Sequence, residues 1–497
     1  MTSIGVALSG GGYRATMWGI GALLYLADSG RHRDVVAISS VSGGSVANGV
    51  VAHETDYRQD PGADFAERVR PLIRHCARVG LFFWGPSTNR YVRSLFALAG
   101  LAVLTLLAGV AATAVEGLRL LSGVLLGAGL LLLAGAVVVF ERRSAVVDRA
   151  LAREFFHGDG DGAATDLSAV RRSVDHVFCT TELQSGDHFY FSPAFVYGFR
   201  FGTGVPGGLP LSTAVQSSAC LPGAFAVRRL PTARHRFPPP AGPTEAATDL
   251  VLTDGGVYDN MADEWLVGLP ERARRPDHPP AAYDVDEIVV VNASAGMTWQ
   301  PFRASRVPAI GELLALARIK SVMYDVTTSH RRSELVQWSD RAGRTGGPLG
   351  ALVHIAQSPY RVADAYAGAA DTGAGSAGSG SGSGSGTATG SGTATGGAVG
   401  TGYGPDLAAR AARAKEVLDL LGHDPGRRAV WEERTTRSRT TRTVLRKLGA
   451  DTTADLLLHA YTLTACNLHV LLDYPLPAAL PDRGYFLGLT TGPGTRS

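Results

Sequence analysis

The stretch VALSGGGYRATMWGIG, residues 6–21, has three consecutive glycines where an apolar strand turns into a helix. Glycine in such a run carries an entropic cost and offers no side chain to pack, which indicates that the bare backbone amides have a use. Without Cβ atoms, Gly10, Gly11 and Gly12 can direct amides to one point at the start of a helix, where negative charge is stabilised. The stretch therefore predicts an anion-binding turn between the first strand and the first helix.

A second small-residue turn follows the next apolar run. The letters SVSGGS, residues 40–45, come after the strand pattern VVAIS and precede a helical pattern. A serine between small residues at a sharp strand-to-helix turn is typical of a nucleophile elbow, where the hydroxyl stands exposed above the sheet. Ser42 is at the centre of this turn and is the predicted nucleophile. A serine that only caps a helix fits the same letters, so the turn alone leaves both readings open.

A third turn supplies a carboxylate. The stretch LVLTDGGVYDN, residues 250–260, ends a strand pattern at Asp254 and continues with two glycines. A nucleophilic serine needs a general base, and Asp254 is the predicted one. The attack of Ser42 on an ester creates an oxyanion, for which the amides of Gly10, Gly11 and Gly12 are the predicted donors. An isolated Asp-Gly-Gly is also a common β-turn, so the prediction depends on all three turns together.

A nucleotide site is the competing interpretation of the glycine run. Gly10-x-Gly12-x-x-Ala15 resembles a dinucleotide fingerprint, but that fingerprint requires an acidic residue at the end of the next strand. The next strand here ends in Ser39 and Ser40. No Gly-Lys-Ser/Thr follows the run either, as a phosphate-binding P-loop requires. Both nucleotide interpretations are therefore disfavoured.

Composition excludes several other classes. The chain has 497 residues, a net charge of +3 and four cysteines without metal-ligand or CxxC spacing. The charge is too small to indicate a nucleic-acid partner, and the cysteine pattern favours a reducing compartment without a zinc site or disulfide framework. The chain enters its first strand almost at once, so we expect no secretory signal. We expect no metal and no cofactor.

Two apolar runs predict a membrane hairpin. Residues 95–115 and 120–140 each lack charged side chains, and residues 116–119 separate them. About 20 residues suffice for a helix to cross a bilayer. Gly123 and Gly127 have the GxxxG spacing that lets membrane helices pack closely, and are the predicted contact. A pair of buried core helices is the alternative.

Basic residues predict the orientation of the hairpin. Arg90 and Arg93 precede it, Arg142, Arg143 and further arginines follow it, and the turn has only one arginine. By the positive-inside rule both flanks are cytoplasmic. The predicted location is therefore the cell membrane, crossed twice, with the catalytic part facing the cytoplasm.

The remaining patterns predict an α/β fold with a central, mostly parallel sheet. Apolar runs at residues 4–10, 34–40, 174–183, 188–192, 249–256 and 285–294 alternate with helical patterns. Such runs are typical of strands buried on both faces of a sheet. We expect a catalytic domain of residues 1–94 and 141–367, interrupted by the hairpin at 95–140. A Gly/Ser/Thr-rich linker at 368–404 and a C-terminal helical segment at 405–497 follow it.

The motifs SGGGYRA, SVSGG and TDGG, in this order, resemble the patatin-like phospholipase family. The stretches HVFCTTELQSGDHFYFS and LSTAVQSSACLPGAF are similar to it as well, so the resemblance covers roughly residues 4–294 without the hairpin. It implies a patatin-like three-layer sandwich and a serine acyl hydrolase with a Ser–Asp dyad, no catalytic histidine and no cofactor.

The family pattern assigns roles to particular residues. By resemblance, Ser42 is the nucleophile, Asp254 the base and Arg14 the arginine of the oxyanion loop formed by Gly10, Gly11 and Gly12. The chain departs from the pattern where the first glycine of the elbow is a serine, Ser40. Serine is small enough to be tolerated in such a turn.

Together these features predict a membrane-anchored lipase or phospholipase that cleaves carboxylic esters of lipids. Its expected partners are a lipid or phospholipid substrate and the membrane. Two alternatives remain open at this point. One is a catalytically inactive lipid-binding or scaffold protein, and the other is an acyltransferase that uses the same dyad.

Overall fold

The structure is a computed structural model that describes residues 2–81, 86–158, 163–170, 173–238, 247–274, 283–296, 308–345, 349–372 and 407–491. The predicted linker at 368–404 lies outside the described residues from residue 373 onward. The other predicted elements fall largely within them.

A ten-stranded sheet forms the centre of the described chain. Its path is β10-β9-β1-β2-β3-β4-β5-β6, with β8 paired to β3 and β7 paired to β8. The strands are β1 Ile4–Leu8, β2 Val35–Ser40, β3 Asp175–Glu182, β4 His188–Phe191, β5 Val196–Gly198, β6 Gly202–Gly204, β7 Arg228–Pro231, β8 Asp249–Asp254, β9 Glu287–Asn292 and β10 Leu349–His354.

The sheet is mixed rather than parallel throughout. Strands β10, β9, β1, β2 and β3 run parallel, which confirms the predicted α/β sheet for that half. The other half is antiparallel, and β8 runs against β3. All six predicted strands are present, whereas β5, β6, β7 and β10 were not predicted.

Helices cover both faces of this sheet. Successive residues of β1 enter different apolar clusters, since Val6 and Leu8 pack with α1, α2, α3 and α14, whereas Ala7 packs with Trp265 and Leu335 on the opposite face. This alternation is the period of two expected of a strand buried on both sides. The helices are α1 Gly12–Asp28, α2 Gly43–Glu54, α3 Gly62–Arg78, α4 Pro86–Ala112, α5 Arg119–Glu141, α6 Arg143–Glu154, α7 Leu211–Ser218, α8 Glu264–Val267, α9 Leu269–Arg272, α10 Pro308–Thr345, α11 Tyr360–Thr372, α12 Leu407–Leu421, α13 Pro425–Thr440, α14 Ala450–Leu472 and α15 Arg483–Thr490.

The C-terminal helix α14 belongs to the same apolar core as the sheet. It packs directly on α1, where a Cβ added at Gly21 would lie 2.7 Å from the Cβ of Ala460. Tyr25 and Tyr461 meet edge to face with ring centroids 5.7 Å apart. The close α1–α14 contact holds the C-terminal segment beside the first helix, and thereby near the glycine turn.

Helices α4 and α5 form the predicted hairpin. By length and composition, Ser87–Ala112 and Glu116–Glu141 can each cross a membrane. Their apolar side chains are largely exposed, with Leu104 66% and Leu131 76% accessible. Buried core helices would hide such side chains, so the structure contradicts the alternative of a buried helix pair.

The predicted contact of the hairpin is wrong. Added Cβ atoms at Gly123 and Gly127 would meet nothing within 4 Å among the described residues, so these glycines face away from the partner helix. Gly129 lies against Leu106 instead, and Gly109 lies against Leu126. The buried small residues of α5 recur every seventh position, at Ser122, Gly129 and Ala136. This spacing, rather than GxxxG, marks the packed seam.

Candidate active site

The predicted site residues line one cavity of about 1250 Å³. It lies where β1 and β2 end and their helices begin. The three glycines of the first turn, Ser42 and Asp254 all contribute to its wall, and so does Arg14. Residues that are about 240 positions apart in the chain thus share one space.

Ser42 occupies a strained turn between β2 and α2. Its backbone has φ 53° and ψ −116°, a conformation that non-glycine residues rarely adopt. The turn is held from both sides, because the Val41 amide donates to the Leu8 carbonyl over 3.0 Å and the Ser42 amide donates to Ser218 Oγ over 3.1 Å. Such strain at a sharp strand-to-helix turn is typical of a nucleophile elbow.

The glycines after Ser42 permit this close packing. A Cβ at Gly43 would lie 2.0 Å from the Gly12 carbonyl oxygen, and one at Gly44 would lie 2.3 Å from that of Leu8. Ser40, the departure from the family pattern, is fully buried, and its hydroxyl donates to the Val177 carbonyl over 3.0 Å. Its hydroxyl is therefore satisfied, and the strand and helix still approach closely.

The first turn offers fewer free amides than predicted. The Gly10 amide donates to the Asn260 carbonyl over 3.0 Å, so it is occupied. Gly11 and Gly12 have φ 141° and 57°, and their amides make no hydrogen bond within the described part of the chain. The Gly43 amide, at the first position of α2, is equally unused there. The available donors in the described chain are thus Gly11, Gly12 and Gly43, of which Gly43 was not predicted.

Asp254 reaches the cavity on an antiparallel strand of a sheet that was predicted to be mostly parallel. Its strand β8 is antiparallel to β3, which extends past the ends of β1 and β2 and pairs with β8 there. The Asp254 amide donates to the Cys220 carbonyl over 3.0 Å, and Thr181 Oγ1 donates to the Asp254 carbonyl over 3.0 Å. The backbone of the base is therefore fixed on both sides.

The carboxyl group of Asp254 is buried and partly unpaired. It is 1% exposed, and Oδ1 accepts from the Gly256 amide over 2.8 Å. Oδ2 has no well-aligned donor among the residues that the structure describes. The Ser42 and Tyr324 hydroxyls approach the carboxylate closely enough to stabilise its charged form.

Burial raises the pKa of Asp254 to about 6, against the opposing effects of the Gly256 amide and the Ser42 and Tyr324 hydroxyls. A buried carboxylate is costly because it loses its hydration. A base with a pKa near neutrality can both accept a proton and return it at physiological pH. Perturbation of this kind is common in functional sites.

Arg14 braces the loop rather than pointing free into solvent. It is buried, and its Nη1 donates to the Thr441 carbonyl over 2.7 Å. The segment that begins at Thr441, residues 441–446, crosses the glycine turn. There the Tyr13 amide donates to the Val444 carbonyl over 2.9 Å. Burial lowers the pKa of Arg14 to about 10, so it stays charged at neutral pH.

Three further elements contribute to the cavity wall, a position that no sequence motif indicated. Helix α10 contributes Lys320 and Tyr324, and segment 441–446 lies across the glycine turn. Leu95 and Phe140 come from the base of the α4–α5 hairpin, one from each helix. The cavity therefore extends from the catalytic candidates to the start of the apolar hairpin.

Within the described residues, no histidine lines this cavity. The same residues hold no group of three or more His, Cys, Asp or Glu side chains placed to bind a metal ion. The polar groups of the cavity floor are a serine, a carboxylate and backbone amides, which suit ester chemistry without a cofactor.

No protein-family model matches the chain, and no curated protein matches it. Among solved structures, it is similar to human GIVD cytosolic phospholipase A2, with 15% identity and a TM-score of 0.36 over 64% of this chain and 48% of that one. It is also similar to VipD from Legionella pneumophila, with 12% identity and a TM-score of 0.25 over 69% of this chain and 55% of that one. The chain thus spans about half the length of these structures. Similarity of this degree does not indicate the function, which has to be inferred from the chemistry of the site itself.

Proposed function

We propose that this protein is a membrane-anchored serine acyl hydrolase that cleaves carboxylic esters of lipids. The observation that carries the proposal is the convergence of Ser42, Asp254 and the amides of Gly11 and Gly12 on one cavity. A nucleophile, a base and preorganised donors are the parts that acyl transfer requires.

In the first step Asp254 accepts the proton of the Ser42 hydroxyl while Oγ bonds to the ester carbonyl carbon. The resulting oxyanion is stabilised by the free amides of the glycine turn. The C–O bond to the alcohol breaks, the alcohol leaves with the proton from Asp254, and the acyl group remains on Ser42. Water then attacks the acyl carbon while Asp254 accepts a proton from it. The bond between that carbon and Ser42 Oγ breaks, the carboxylic acid leaves, and the proton on Asp254 returns to Oγ, which restores both residues.

A lipid substrate is supported by the apolar surfaces around the cavity. Its wall includes Leu95, Phe96 and Phe140 at the base of the hairpin. On α10, the exposed apolar side chains include a stripe of Leu316, Ile319, Met323 and Val326, which are 48–60% accessible. Their spacing places them on one side of the helix, as in helices that lie on a bilayer surface. We therefore propose that the hairpin and this stripe hold the cavity at the membrane, on the cytoplasmic side that the basic flanks predict.

The direct test is the Ser42→Ala variant of the full chain in detergent micelles, assayed with a nitrophenyl acyl ester. We expect a loss of turnover of about 10³-fold or more, because the nucleophile is absent. Ser29→Ala is the matched control, since the Ser29 hydroxyl lies at the end of α1, where it donates to the Leu26 carbonyl, and Ser29 does not line the cavity. Undiminished turnover by Ser42→Ala would contradict the proposed function.

A further inference from the structure

The cavity wall is more basic than catalysis requires. Among the residues that the structure describes, it contains six basic side chains and two carboxylates: Arg14, Arg143, Arg318, Lys320, Arg442 and Arg446 against Asp254 and Asp325. Only Asp254 belongs to the proposed dyad. The excess of positive charge therefore needs its own explanation.

Two of the six basic side chains have structural partners. Arg14 donates to the Thr441 carbonyl over 2.7 Å. Arg143 donates to the Ala224 carbonyl over 3.1 Å and to the Phe140 carbonyl over 3.0 Å. Both side chains hold neighbouring backbone in place, which explains their burial.

The other four basic residues form what we call the cationic rim: Arg318 and Lys320 of α10, and Arg442 and Arg446 of segment 441–446. Within the described residues, none of the four forms an ion pair within 4 Å. Lys320 has one long contact, 3.4 Å from Nζ to the Pro222 carbonyl, and Arg442 and Arg446 are exposed. Four cations that line one cavity without an ion pair in the described part of the chain repel each other, and a bound anion relieves that repulsion.

The rim lies on elements that border the proposed catalytic groups. Tyr324, four residues after Lys320, acts on the Asp254 carboxylate, and Lys320 also lowers the pKa of Asp254. Val444, between the two arginines of segment 441–446, receives the Tyr13 amide beside the glycine turn. A lipid whose ester carbonyl is held at that turn therefore has its headgroup near the rim.

We propose that the cationic rim is a subsite for the phosphate of an anionic glycerophospholipid headgroup. This inference rests on the proposed function, because it concerns the substrate of the same cavity. Guanidinium groups bind phosphate through paired, charge-assisted hydrogen bonds. The ammonium group of a zwitterionic headgroup meets the same cations with like charge, which selects against it. The site should therefore prefer phosphatidylglycerol to phosphatidylcholine.

The test uses the full chain reconstituted in phosphatidylcholine vesicles, with labelled phosphatidylglycerol and labelled phosphatidylcholine as substrates at equal, low mole fraction. Each exposed charge pair contributes about two- to fivefold, so we expect the wild type to prefer phosphatidylglycerol by about tenfold or more. Arg442→Gln combined with Arg446→Gln should lower this preference by roughly fivefold. A wild-type preference near one, or a preference unchanged in the double variant, would overturn the proposal.

The matched control is Arg229→Gln combined with Arg427→Gln. Both arginines are exposed, and neither lines the cavity. This variant removes the same charge from the protein as the rim variant does. It should keep the wild-type preference, and an equal fall in both double variants would contradict a local subsite.

A second measurement separates headgroup binding from attraction of the rim to an anionic bilayer surface. Diether phosphatidylglycerol, which has no ester to cleave, is added to the vesicles during hydrolysis of phosphatidylcholine. A subsite binds it as a competitor, so hydrolysis slows. Surface attraction raises hydrolysis instead, and that result would overturn the proposal.

Turnover of the soluble nitrophenyl ester distinguishes failure of the subsite proposal from failure of the proposed function. Ester turnover that depends on Ser42, together with no preference between the two lipids, overturns the subsite alone. Absence of Ser42-dependent turnover on every substrate overturns the proposed function and the subsite with it.

Discussion

The floor of the cavity, formed by Gly10–Gly12, Ser42, Gly43 and Asp254, and its cationic rim are built in different ways. At the floor, backbone packs on backbone so tightly that a Cβ at Gly43 would lie 2.0 Å from the Gly12 carbonyl oxygen. Ser42 and Asp254 are each fixed by main-chain hydrogen bonds. The cationic rim is built instead from single side chains of α10 and segment 441–446, of which Arg442 and Arg446 are exposed.

This difference separates two tasks. Donors that stabilise an oxyanion must already point at it before the reaction, and a rigid floor meets that need. Selecting a lipid at a membrane requires exposed apolar and charged side chains, which the floor lacks and the rim supplies. Changes to the floor should therefore affect every ester, whereas changes to the rim should depend on the lipid.

The largest effect is expected from Asp254→Asn at the floor. The amide cannot accept the Ser42 proton, so turnover of the soluble ester and of lipids should both fall by about 10⁴-fold. Initial rates at neutral pH measure the loss. Near-normal turnover with this variant would show that Asp254 is not the base.

The same variant should stabilise the fold. Because the folded pKa is raised to about 6, the folded protein holds a proton that the unfolded chain releases between its ordinary pKa and about 6. The contribution of Asp254 to the free energy of unfolding therefore falls as the pH rises through that window, by on the order of 3 kcal/mol. Thermal unfolding at neutral pH should show a higher melting temperature for Asp254→Asn than for the wild type. A lower melting temperature would contradict the energetic cost that we assign to the buried, charged carboxylate.

Gly43→Ala tests whether the floor depends on its close packing. The added methyl group meets the backbone of Gly12, which must move, and the loop donors move with it. We expect a loss of about 100-fold or more in turnover of the soluble ester. Gly488→Ala is the control, because a Cβ there meets nothing within 4 Å among the described residues. Equal turnover by both variants would contradict a preorganised floor.

Tyr324→Phe tests the contact between helix α10, which carries part of the cationic rim, and Asp254 at the floor. Loss of the hydroxyl that stabilises the Asp254 carboxylate should raise the pKa of Asp254 above about 6. The acid limb of the kcat/KM profile then moves to higher pH, with a loss of less than about tenfold that is greatest near pH 6. A uniform loss at every pH would indicate a packing defect instead. Tyr485→Phe, on the exposed side of α15, serves as the control.

The smallest effect is expected from Leu316→Gln combined with Met323→Gln on the outer face of α10. Loss of two apolar contacts with the bilayer should lower hydrolysis of vesicle lipid by several-fold, whereas the soluble ester is cleaved as before. The rate ratio of the two substrates is the measurement. Val227→Gln with Val430→Gln controls for exposed apolar residues elsewhere, and an unchanged ratio in both variants would contradict a bilayer contact of α10.

The floor could be predicted because its signals are local. A short apolar run followed by a turn of small residues identifies β1 with Gly10–Gly12, and β2 with Ser42, since the local turn requires those residues. The direction of β8 could not be predicted, because it depends on β3 extending past its parallel neighbours. Nor could the sequence reveal that the Gly10 amide is occupied by Asn260, a contact made by residues about 250 positions apart.

The rim could be predicted only in part, since residues 427–447 contain eight basic residues and two acidic ones, but their place beside the cavity could not. Tyr324 and segment 441–446 reach the cavity only through tertiary packing, and neither has a motif. In the hairpin, GxxxG at Gly123 and Gly127 indicated the wrong face of α5. The seven-residue recurrence of Ser122, Gly129 and Ala136 was readable in the sequence and would have indicated the right one.

The most direct test is an experimental structure of the full chain after reaction with a fluorophosphonate. We predict a covalent bond from the probe to Ser42 Oγ, with the phosphonyl oxygen accepting hydrogen bonds from the Gly11 and Gly12 amides and the Asp254 carboxylate beside Oγ. An unmodified Ser42, or an adduct whose phosphonyl oxygen points away from both glycine amides, would contradict the assignment of this cavity as an acyl-hydrolase site.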